Sequence, residues 1–415
     1  MTCHQVVLHS DKELENYFYS SPILYFIEQL KNVLPRQSAI HLFPEATLKS
    51  NKVPNGLLLN SLKNETLLMP ALLRDPGCGF LLFKLFSVDK KKLKYLSQSL
   101  IEFCEILEDR KLEHKQLLEE VMVHGVSHLH VTTSKFANDK FSVLLDYLFI
   151  DLSLDELCKD LSQITNSLEI KIPMEEQNSA SSKVDLLGFI HTGSEYLPKV
   201  ILEQWFQRAV GYTYGNNIAN IEQINMGLYG FNDNSEEALE YQQCIYAAMN
   251  YCIYKRWLLF SELKKYLYHT HHIEIDMVSD RCHAGLFNNN INGSSYIIQT
   301  RGVQLAEKSG NNVFLMAGHK ESVSYLFQGL KTNYIGHGTS YAVDIKFNYE
   351  ESLPYELKYD LSSIMANTTL NSNNILPYNY NIEQQRKHLE GMYSTCTTLY
   401  PVFNYQGRYL RAVNL

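Results

Sequence analysis

The sequence predicts an α+β fold in which helices surround mixed β-sheets, built as a single domain over residues 1–415. Two long segments carry apolar residues at helical spacing, and six short apolar runs have the length and composition of strands. Helices and strands do not alternate regularly, which favours α+β over a doubly wound parallel sheet. Hydrophobic residues make up 45% of the chain and charged residues 20%, so bulk disorder is excluded.

The helices and strands are assigned from the period of their apolar residues. The first predicted helix covers 90–120 and the second about 235–268, where Asn234 and Glu237 have the spacing of a capping box. Predicted strands occupy 79–86, 168–172, 184–190, 296–300, 312–316 and 342–347. Loops rich in Asn, Ser or Gly are predicted at 175–183, 288–295 and 367–374. None of these loops is long enough to indicate a linker between domains.

Composition limits the compartment and the partners. No apolar run approaches the roughly 20 residues that span a bilayer, and the first residues lack the pattern of a secretory signal. The absence of such a run predicts no membrane partner, and the eight scattered cysteines predict a reduced, cytoplasmic protein without a disulfide framework. Because 45 acidic residues outnumber 37 Lys and Arg, any polyanion must be bound by a local basic pocket.

The segment Asp75-Pro-Gly-Cys78-Gly has the strongest chemical signal in the chain. Its Pro-Gly pair predicts a sharp turn, which can aim the Asp75 carboxylate and the Cys78 thiolate at one point. A hard oxygen and a soft sulfur donor three residues apart form a plausible metal clip. A second interpretation stays open, in which Asp75 caps its own backbone beside a buried cysteine.

Three histidines lie in settings that are typical of functional sites. His191 ends an apolar strand and precedes a turn of small residues, His283 precedes a residue pair Ala-Gly, and His337 lies between two glycines. Glycines on both sides of a histidine leave room for a bulky ligand against the ring. For each histidine taken singly, a hydrogen-bonded structural role is the alternative.

Taken in order, these segments resemble motifs of the RtcB family of RNA ligases, from about residue 40 to residue 407. Asp75-Pro-Gly-Cys78-Gly resembles the family's Asp-x-x-Cys-Gly metal motif, and His191-Thr-Gly-Ser resembles its His-Ser-Gly-Ser motif. His337-Gly-Thr-Ser resembles its His-Gly-Ala-Gly motif, and Cys282-His283 matches a further family histidine. Weaker similarity covers 299–303, 313–325 and 399–407.

The resemblance implies a metal-containing cleft and a GTP-dependent reaction that joins RNA 3′-phosphate or 2′,3′-cyclic phosphate ends to 5′-hydroxyl ends. It implies one or two Mn²⁺ ions, with Zn²⁺ as an alternative that suits a thiolate. The implied metal ligands are Asp75, Cys78 and His283 for one ion, and Cys78 and His191 for the other. His337 is the implied nucleophile that carries GMP. The implied nucleotide contacts are Asn166, Gly338, Ser324, Tyr325 and Gln406.

The chain departs from the family pattern at both sites. The family has a second-metal histidine where Ser167 stands, unless the motif is matched to His128 instead. Basic family positions that bind phosphate are occupied by Glu195, Tyr341 and Gln406. The sequence therefore also predicts an alternative, a divergent RtcB-fold metalloprotein without guanylylation that runs another metal-dependent reaction or only binds RNA or protein. The sequence makes no prediction about oligomeric state.

Overall fold

A computed structural model describes most of the chain. The described residues are 4–9, 22–35, 37–46, 53–109, 154–291, 293–305, 313–318, 323–329, 331–338 and 382–406. The predicted strand at 342–347, the predicted loop at 367–374 and the predicted helical residues 110–120 lie outside them. So do His128 and Tyr341, and nothing in the structure bears on their predicted roles.

The described residues form a mixed α+β fold, as predicted. The helices are α1 Pro22–Val33, α2 Leu93–Asp109, α3 Leu154–Leu161, α4 Met174–Gln177, α5 Tyr196–Gly215, α6 Ile221–Asn225, α7 Glu236–His271 and α8 Ile382–His388, with a 3₁₀ turn at Lys90–Lys92. The strands are β1 Gln5–Leu8, β2 Ala39–Leu42, β3 Leu57–Leu62, β4 Leu67–Leu68, β5 Gly79–Asp89, β6 Ser167–Pro173, β7 Lys183–Thr192, β8 Phe231–Asn232, β9 Ile275–Cys282, β10 Ala284–Ile291, β11 Ser294–Arg301, β12 Val303–Leu305, β13 Val313–Met316, β14 Ser324–Gln328, β15 Tyr334–Gly336 and β16 Thr395–Gln406.

Two sheets make up most of the β-structure. The larger has the strand order β13-β14-β16-β6-β7-β5-β9, and its strands pair antiparallel throughout. The other has the order β1-β2-β3-β11-β10, and only its β1–β2 pair is parallel. The prediction of mixed sheets is therefore confirmed for the five-stranded sheet and wrong for the seven-stranded sheet. Two short pairs, β4–β8 and β12–β15, complete the described β-structure.

Helix α7 is the longest element, and it packs in the core of the described fold. Its N-cap is Ser235, whose Oγ accepts a hydrogen bond from the backbone N–H of Ala238 at 3.1 Å. The predicted cap at Asn234 is therefore wrong by one residue, because Ser235 has the extended backbone that a cap requires. The helix ends at His272, which adopts a left-handed conformation with φ of 53°. In the central turns of the helix, side chains on most faces are buried, as expected of a helix that packs on several neighbours.

One predicted loop is a hairpin. Residues 288–295 belong largely to β10 and β11, which pair antiparallel up to Ile291 and Ser294. The turn lies at Gly293, which has φ of +83°. The prediction failed because the backbone groups of these Asn and Ser residues form the hydrogen bonds between β10 and β11. This pairing outweighs their low intrinsic strand propensity.

Candidate metal centre

Strand register brings three of the predicted site residues to one end of the large sheet. Gly79, the first residue of β5, pairs with Thr192 of β7 on one side and with Cys282 of β9 on the other. Cys78 precedes Gly79, His191 precedes Thr192 and His283 follows Cys282 in the chain. The three side chains therefore converge, although up to 205 residues separate them in sequence.

These close approaches require glycine. A Cβ atom at Gly79 would lie 2.2 Å from the carbonyl oxygen of Arg281 and 2.8 Å from the Cα of Cys282. A Cβ atom at Gly193, beyond His191, would lie 3.2 Å from the Cα and Cβ of Cys78. Glycine at position 79 lets the three strand ends meet closely enough for their side chains to share one ligand.

The ligand atoms of Cys78, His191 and His283 all lie within 4.8 Å of one another. The Sγ of Cys78 is 3.6 Å from the Nε2 of His191. A tetrahedral zinc ion with its usual Zn–S and Zn–N bond lengths separates its S and N ligands by about 3.6 Å. The buried Nδ1 of His283 makes no hydrogen bond within the described residues, so this imidazole is free to act as a ligand. The donor set and its spacing fit a metal ion.

Burial shapes the protonation of the metal-free group. It raises the pKa of the Cys78 thiol to about 12, with a smaller contribution from the charge of Asp75, while Arg256 opposes the shift. Burial also holds the pKa of both His191 and His283 well below the usual value, so both rings are neutral at pH 7. The imidazoles are therefore ready to bind a metal, whereas the thiol must first lose its proton.

The segment before Cys78 forms the turn that the sequence predicted. The backbone N–H of Cys78 donates to the carbonyl oxygen of Asp75 at 3.2 Å, and Gly77 has φ of +88°. These are the features of a type II turn with Pro at its second position. The turn leaves the Asp75 side chain exposed, and among the described residues it is not one of the grouped ligands. The structure therefore does not bring the predicted ligand Asp75 into the group.

The predicted nucleophile, His337, lies beside this group. Its ring centroid is 4.6 Å from that of His283 and 6.4 Å from that of His191. The backbone N–H of His337 donates to Gly302 O at 3.0 Å, which fixes the residue at the end of β15. A ring in this position can present a nitrogen to a phosphate group that also approaches the metal ligands.

Glu45, which the sequence did not single out, approaches His337 on one side. Its Oε1 lies 3.5 Å from the Nδ1 of His337, and its side chain is buried. Asn55 lies on the other side of the ring, with its Nδ2 3.5 Å from the Nε2 of His337. A donor at Nε2 and a carboxylate at Nδ1 favour the tautomer that carries its proton on Nδ1. In that tautomer the lone pair lies on Nε2, where it accepts from the Asn55 amide.

Of the neighbouring residues Asn166 and Ser167, predicted respectively as a nucleotide contact and as the occupant of a ligand position, only Asn166 contacts a candidate ligand. The Asn166 Nδ2 donates to the Sγ of Cys78 at 3.3 Å, so this amide borders the candidate ligands. Ser167 occupies the position predicted for a ligand histidine and lies opposite His191 in the sheet, but its Oγ donates to Glu169 at 3.1 Å. The residue that meets the sulfur is therefore Asn166.

The other predicted nucleotide contacts do not lie together, because Ser324 and Tyr325 are on opposite faces of β14. Gly338 adjoins His337, and its φ of +84° and contact with Met316 exclude a side chain there. Ser324 is buried and its Oγ accepts the backbone N–H of Gly318 at 3.0 Å. Tyr325 points to the opposite face of β14, where it packs with Phe314 and Phe327 in an apolar cluster. Gln406, at the end of β16, is paired with Ser167 in the strand register.

Glu195 stands at a position where the resemblance to RtcB predicts a basic residue. Glu195 lies at the start of α5, two residues beyond Gly193, and burial raises the pKa of its carboxyl group above the usual value. Its backbone N–H donates to the buried carboxylate of Asp160 at 3.3 Å. The start of α5 therefore lies beside two acidic side chains, those of Glu195 and Asp160.

Sequence reasoning missed Arg256, which connects α7 to the candidate ligands. The sequence did contain a signal, the charged pair Lys255-Arg256 within an apolar helix. A charged residue that is buried needs a partner, so this pair indicated polar contacts to other segments. Glu45 gave no comparable signal, since it lies almost 300 residues from His337 in the chain.

Comparison with known proteins does not assign the chain to a family. No protein-family profile matches it, and no curated protein matches it either. Among the described residues, no helix has the length and the apolar character needed to cross a membrane. The seven cysteines in the described ranges form no disulfide with one another.

Proposed function

We propose that this protein is a divergent, RtcB-like RNA ligase that joins RNA 3′-phosphate or 2′,3′-cyclic phosphate ends to 5′-hydroxyl ends through GMP attached to His337. The observation that carries the proposal is the position of the His337 ring, 4.6 Å from His283 and next to the Cys78–His191–His283 group. A nucleophilic imidazole beside a candidate metal site is the arrangement that nucleotidyl transfer to histidine needs.

Cys78, His191 and His283 are the residues that would hold the metal, with Asp75 as a further ligand if its side chain turns inward. The resemblance to RtcB implies Mn²⁺, one or two ions, whereas the sulfur donor suits Zn²⁺. A bound divalent ion would neutralise phosphate charge and polarise the reacting oxygens. Asn166 supports this site because its amide donates to the sulfur.

In the first chemical step, the Nε2 of His337 attacks the α-phosphorus of GTP. The P–N bond forms as the bond to the β-phosphate oxygen breaks, and pyrophosphate leaves. The Glu45 carboxylate faces Nδ1 at 3.5 Å and would hold the ring in the required tautomer while stabilising the positive charge that develops on it. Gly338, next to the ring, packs its backbone against Met316 and Ala317 and so fixes the course of the chain beside His337.

The remaining steps transfer and then release GMP. An RNA 3′-phosphate oxygen attacks the GMP phosphorus, and the P–N bond to His337 breaks. The 5′-hydroxyl of the second RNA end then attacks the activated 3′-phosphorus, loses its proton and expels GMP. Asn166, Ser324 and Gln406 are the proposed nucleotide contacts in this scheme, whereas Tyr325 packs in the apolar cluster on the other face of β14.

Labelling with α-³²P-GTP tests the proposal directly. Protein purified with Mn²⁺ should acquire an acid-labile, alkali-stable label, and His337→Asn should acquire none. His41→Asn is the matched control, because His41 is also a largely buried histidine but lies in β2 and is not one of the grouped ligands. An unlabelled wild-type protein that contains stoichiometric metal would refute guanylylation.

One observation favours the alternative of a metalloprotein that has lost guanylylation. Glu195 places a carboxylate where the family binds phosphate with a basic side chain, and repulsion of an anionic ligand is the physical consequence. Such a protein would contain metal, remain unlabelled by GTP, and run another metal-dependent reaction or bind RNA or protein alone. Gain of labelling in Glu195→Arg, with Glu203→Arg on the exposed side of α5 as control, would identify this case.

A further inference from the structure

Arg256 of α7 is completely buried and makes four hydrogen bonds with its guanidinium group. Its Nε donates to the Oδ1 of Asp280 at 2.6 Å, and its Nη2 donates to the Sγ of Cys282 at 3.3 Å. Its Nη1 donates to two backbone carbonyl oxygens, Gly77 at 2.6 Å and Thr192 at 3.1 Å. One side chain thus contacts three separate strand ends.

Each of these strand ends carries one candidate ligand. Gly77 immediately precedes Cys78, Thr192 immediately follows His191, and Cys282 immediately precedes His283. The contacts therefore lie one residue from every member of the group, although Gly77 and Thr192 are 179 and 64 residues from Arg256 in sequence.

We infer that Arg256 is a positioning residue, which holds the Cys78, His191 and His283 side chains at the spacing that a metal ion requires. The inference rests on the proposed metal site, but it does not depend on guanylylation. A guanidinium suits this role because its planar fork presents five donors in fixed directions, whereas an ammonium is a point charge on a flexible stem. Residues that orient metal ligands in this way commonly change metal affinity 10- to 100-fold when substituted.

The preceding residue, Lys255, provides a matched comparison on the same helix. It is also completely buried and pairs with a buried carboxylate, Asp160, at 3.2 Å. Among the described residues, its ion pair and hydrogen bond go to Asp160 and not to Gly77, Thr192 or Cys282. Loss of either cation leaves a buried carboxylate without its partner, so both changes should lower global stability. Only loss of Arg256 should alter the metal site.

The test is Co²⁺ binding by the full-length metal-free protein, followed through the visible absorption spectrum and by competition with a chelator. We expect Arg256→Gln to raise the Kd for Co²⁺ about 10- to 100-fold and to change the d–d spectrum, which reports coordination geometry. Lys255→Gln should leave both within about twofold of wild type. Arg256→Lys keeps the buried charge and should fold, yet it should still weaken Co²⁺ binding and shift the spectrum.

The outcomes separate this inference from the proposed function. Wild-type Kd and spectrum in Arg256→Lys and Arg256→Gln would overturn the inference while leaving the metal site in place. Equal weakening in the Lys255 and Arg256 variants would also overturn it, because the effect would then follow stability alone. Wild-type protein that binds no Co²⁺ would overturn the metal site and the inference together. Absence of GTP labelling, with these binding differences intact, would refute only the ligase reaction.

Discussion

The Oε1 of Glu45 lies 3.5 Å from the Nδ1 of His337, in a space that exists because residue 336 is glycine. A Cβ atom at Gly336 would lie 2.2 Å from that same oxygen. Neither carboxylate oxygen of Glu45 makes a hydrogen bond within the described residues, and Oε1 forms an ion pair with the imidazole only when that ring is protonated. A buried acid held against one nitrogen of an imidazole fixes which nitrogen can react.

Glu45→Gln should therefore slow guanylylation of His337 without unfolding the protein. Glutamine keeps the size of the side chain but removes the charge that stabilises the imidazolium. We expect the rate of labelling by α-³²P-GTP to fall about 100-fold or more. Circular dichroism and the Tm serve as the folding control. Labelling of the variant at the wild-type rate would contradict the proposed role.

Asn166→Ala and Ser167→Ala should differ in metal binding. Asn166 donates to the Cys78 sulfur, whereas Ser167 donates to Glu169. Removing a hydrogen bond to a ligating thiolate should weaken Co²⁺ binding by about tenfold, at the lower end of such effects. Ser167→Ala should change the Kd less than twofold. The reverse order would show that Ser167 is the residue that supports the metal.

Metal binding should release about one proton per ion between pH 6 and 8, so metal affinity should rise with pH over this range. The Cys78 thiol has a pKa of about 12 without metal, so binding at neutral pH must release its proton. His191 and His283 have pKa values well below the usual range and are already neutral, so they add no proton release. Calorimetry in buffers of different ionisation enthalpy measures this number directly. Release of two or more protons would refute the assignment of neutral histidines.

Acid should destabilise the contact between β1 and β2. The Nε2 of His9 lies 3.1 Å from the Nδ1 of His41, and burial lowers their pKa values to about 3 and about 4. Because both folded-state values are depressed below 6.5, the stability they provide is present above pH 6.5 and is lost as the pH falls toward these values. One such histidine should lower the free energy of unfolding by about 2 kcal/mol between pH 7 and pH 5.

Urea unfolding of wild type and His41→Asn at both pH values measures this contribution. Asparagine takes up no proton in this range, so the decrease in the free energy of unfolding between pH 7 and pH 5 should be smaller by about 2 kcal/mol in the variant. An identical decrease in the two proteins would show that His41 is already protonated in the folded state.

Two glycine substitutions should change stability in opposite directions. Gly79→Ala places a Cβ atom 2.2 Å from the carbonyl oxygen of Arg281, so β5 and β9 must separate, at a cost of about 1–3 kcal/mol. Gly211→Ala lies in α5 with open space around its Cβ, and it should gain about 0.5–1 kcal/mol from reduced backbone entropy. Thermal unfolding compares the two. A neutral effect of Gly79→Ala would mean that the strand ends are not held as closely as described.

Several features of the fold follow from local sequence. The apolar period identified the long helix that became α7 and the strand that became β5, because each depends on neighbouring residues in the chain. The Pro-Gly pair predicted the turn before Cys78 for the same reason, since it restricts the backbone of just two residues. The prediction failed at 288–295, where pairing between β10 and β11 outweighs local propensity.

The sequence by itself predicted the long helix α7, the helix α2 and the strands β5, β6, β7, β11 and β13, and it pointed to Cys78, His191, His283 and His337 as reactive side chains. Only the tertiary structure decided that the first three meet at the ends of β5, β7 and β9, that Glu45 faces His337, and that Asn166 faces the sulfur. These contacts depend on strand register and on the packing of α7 through Arg256. They join residues that no short-range periodicity relates, since each interaction forms between segments brought together by folding.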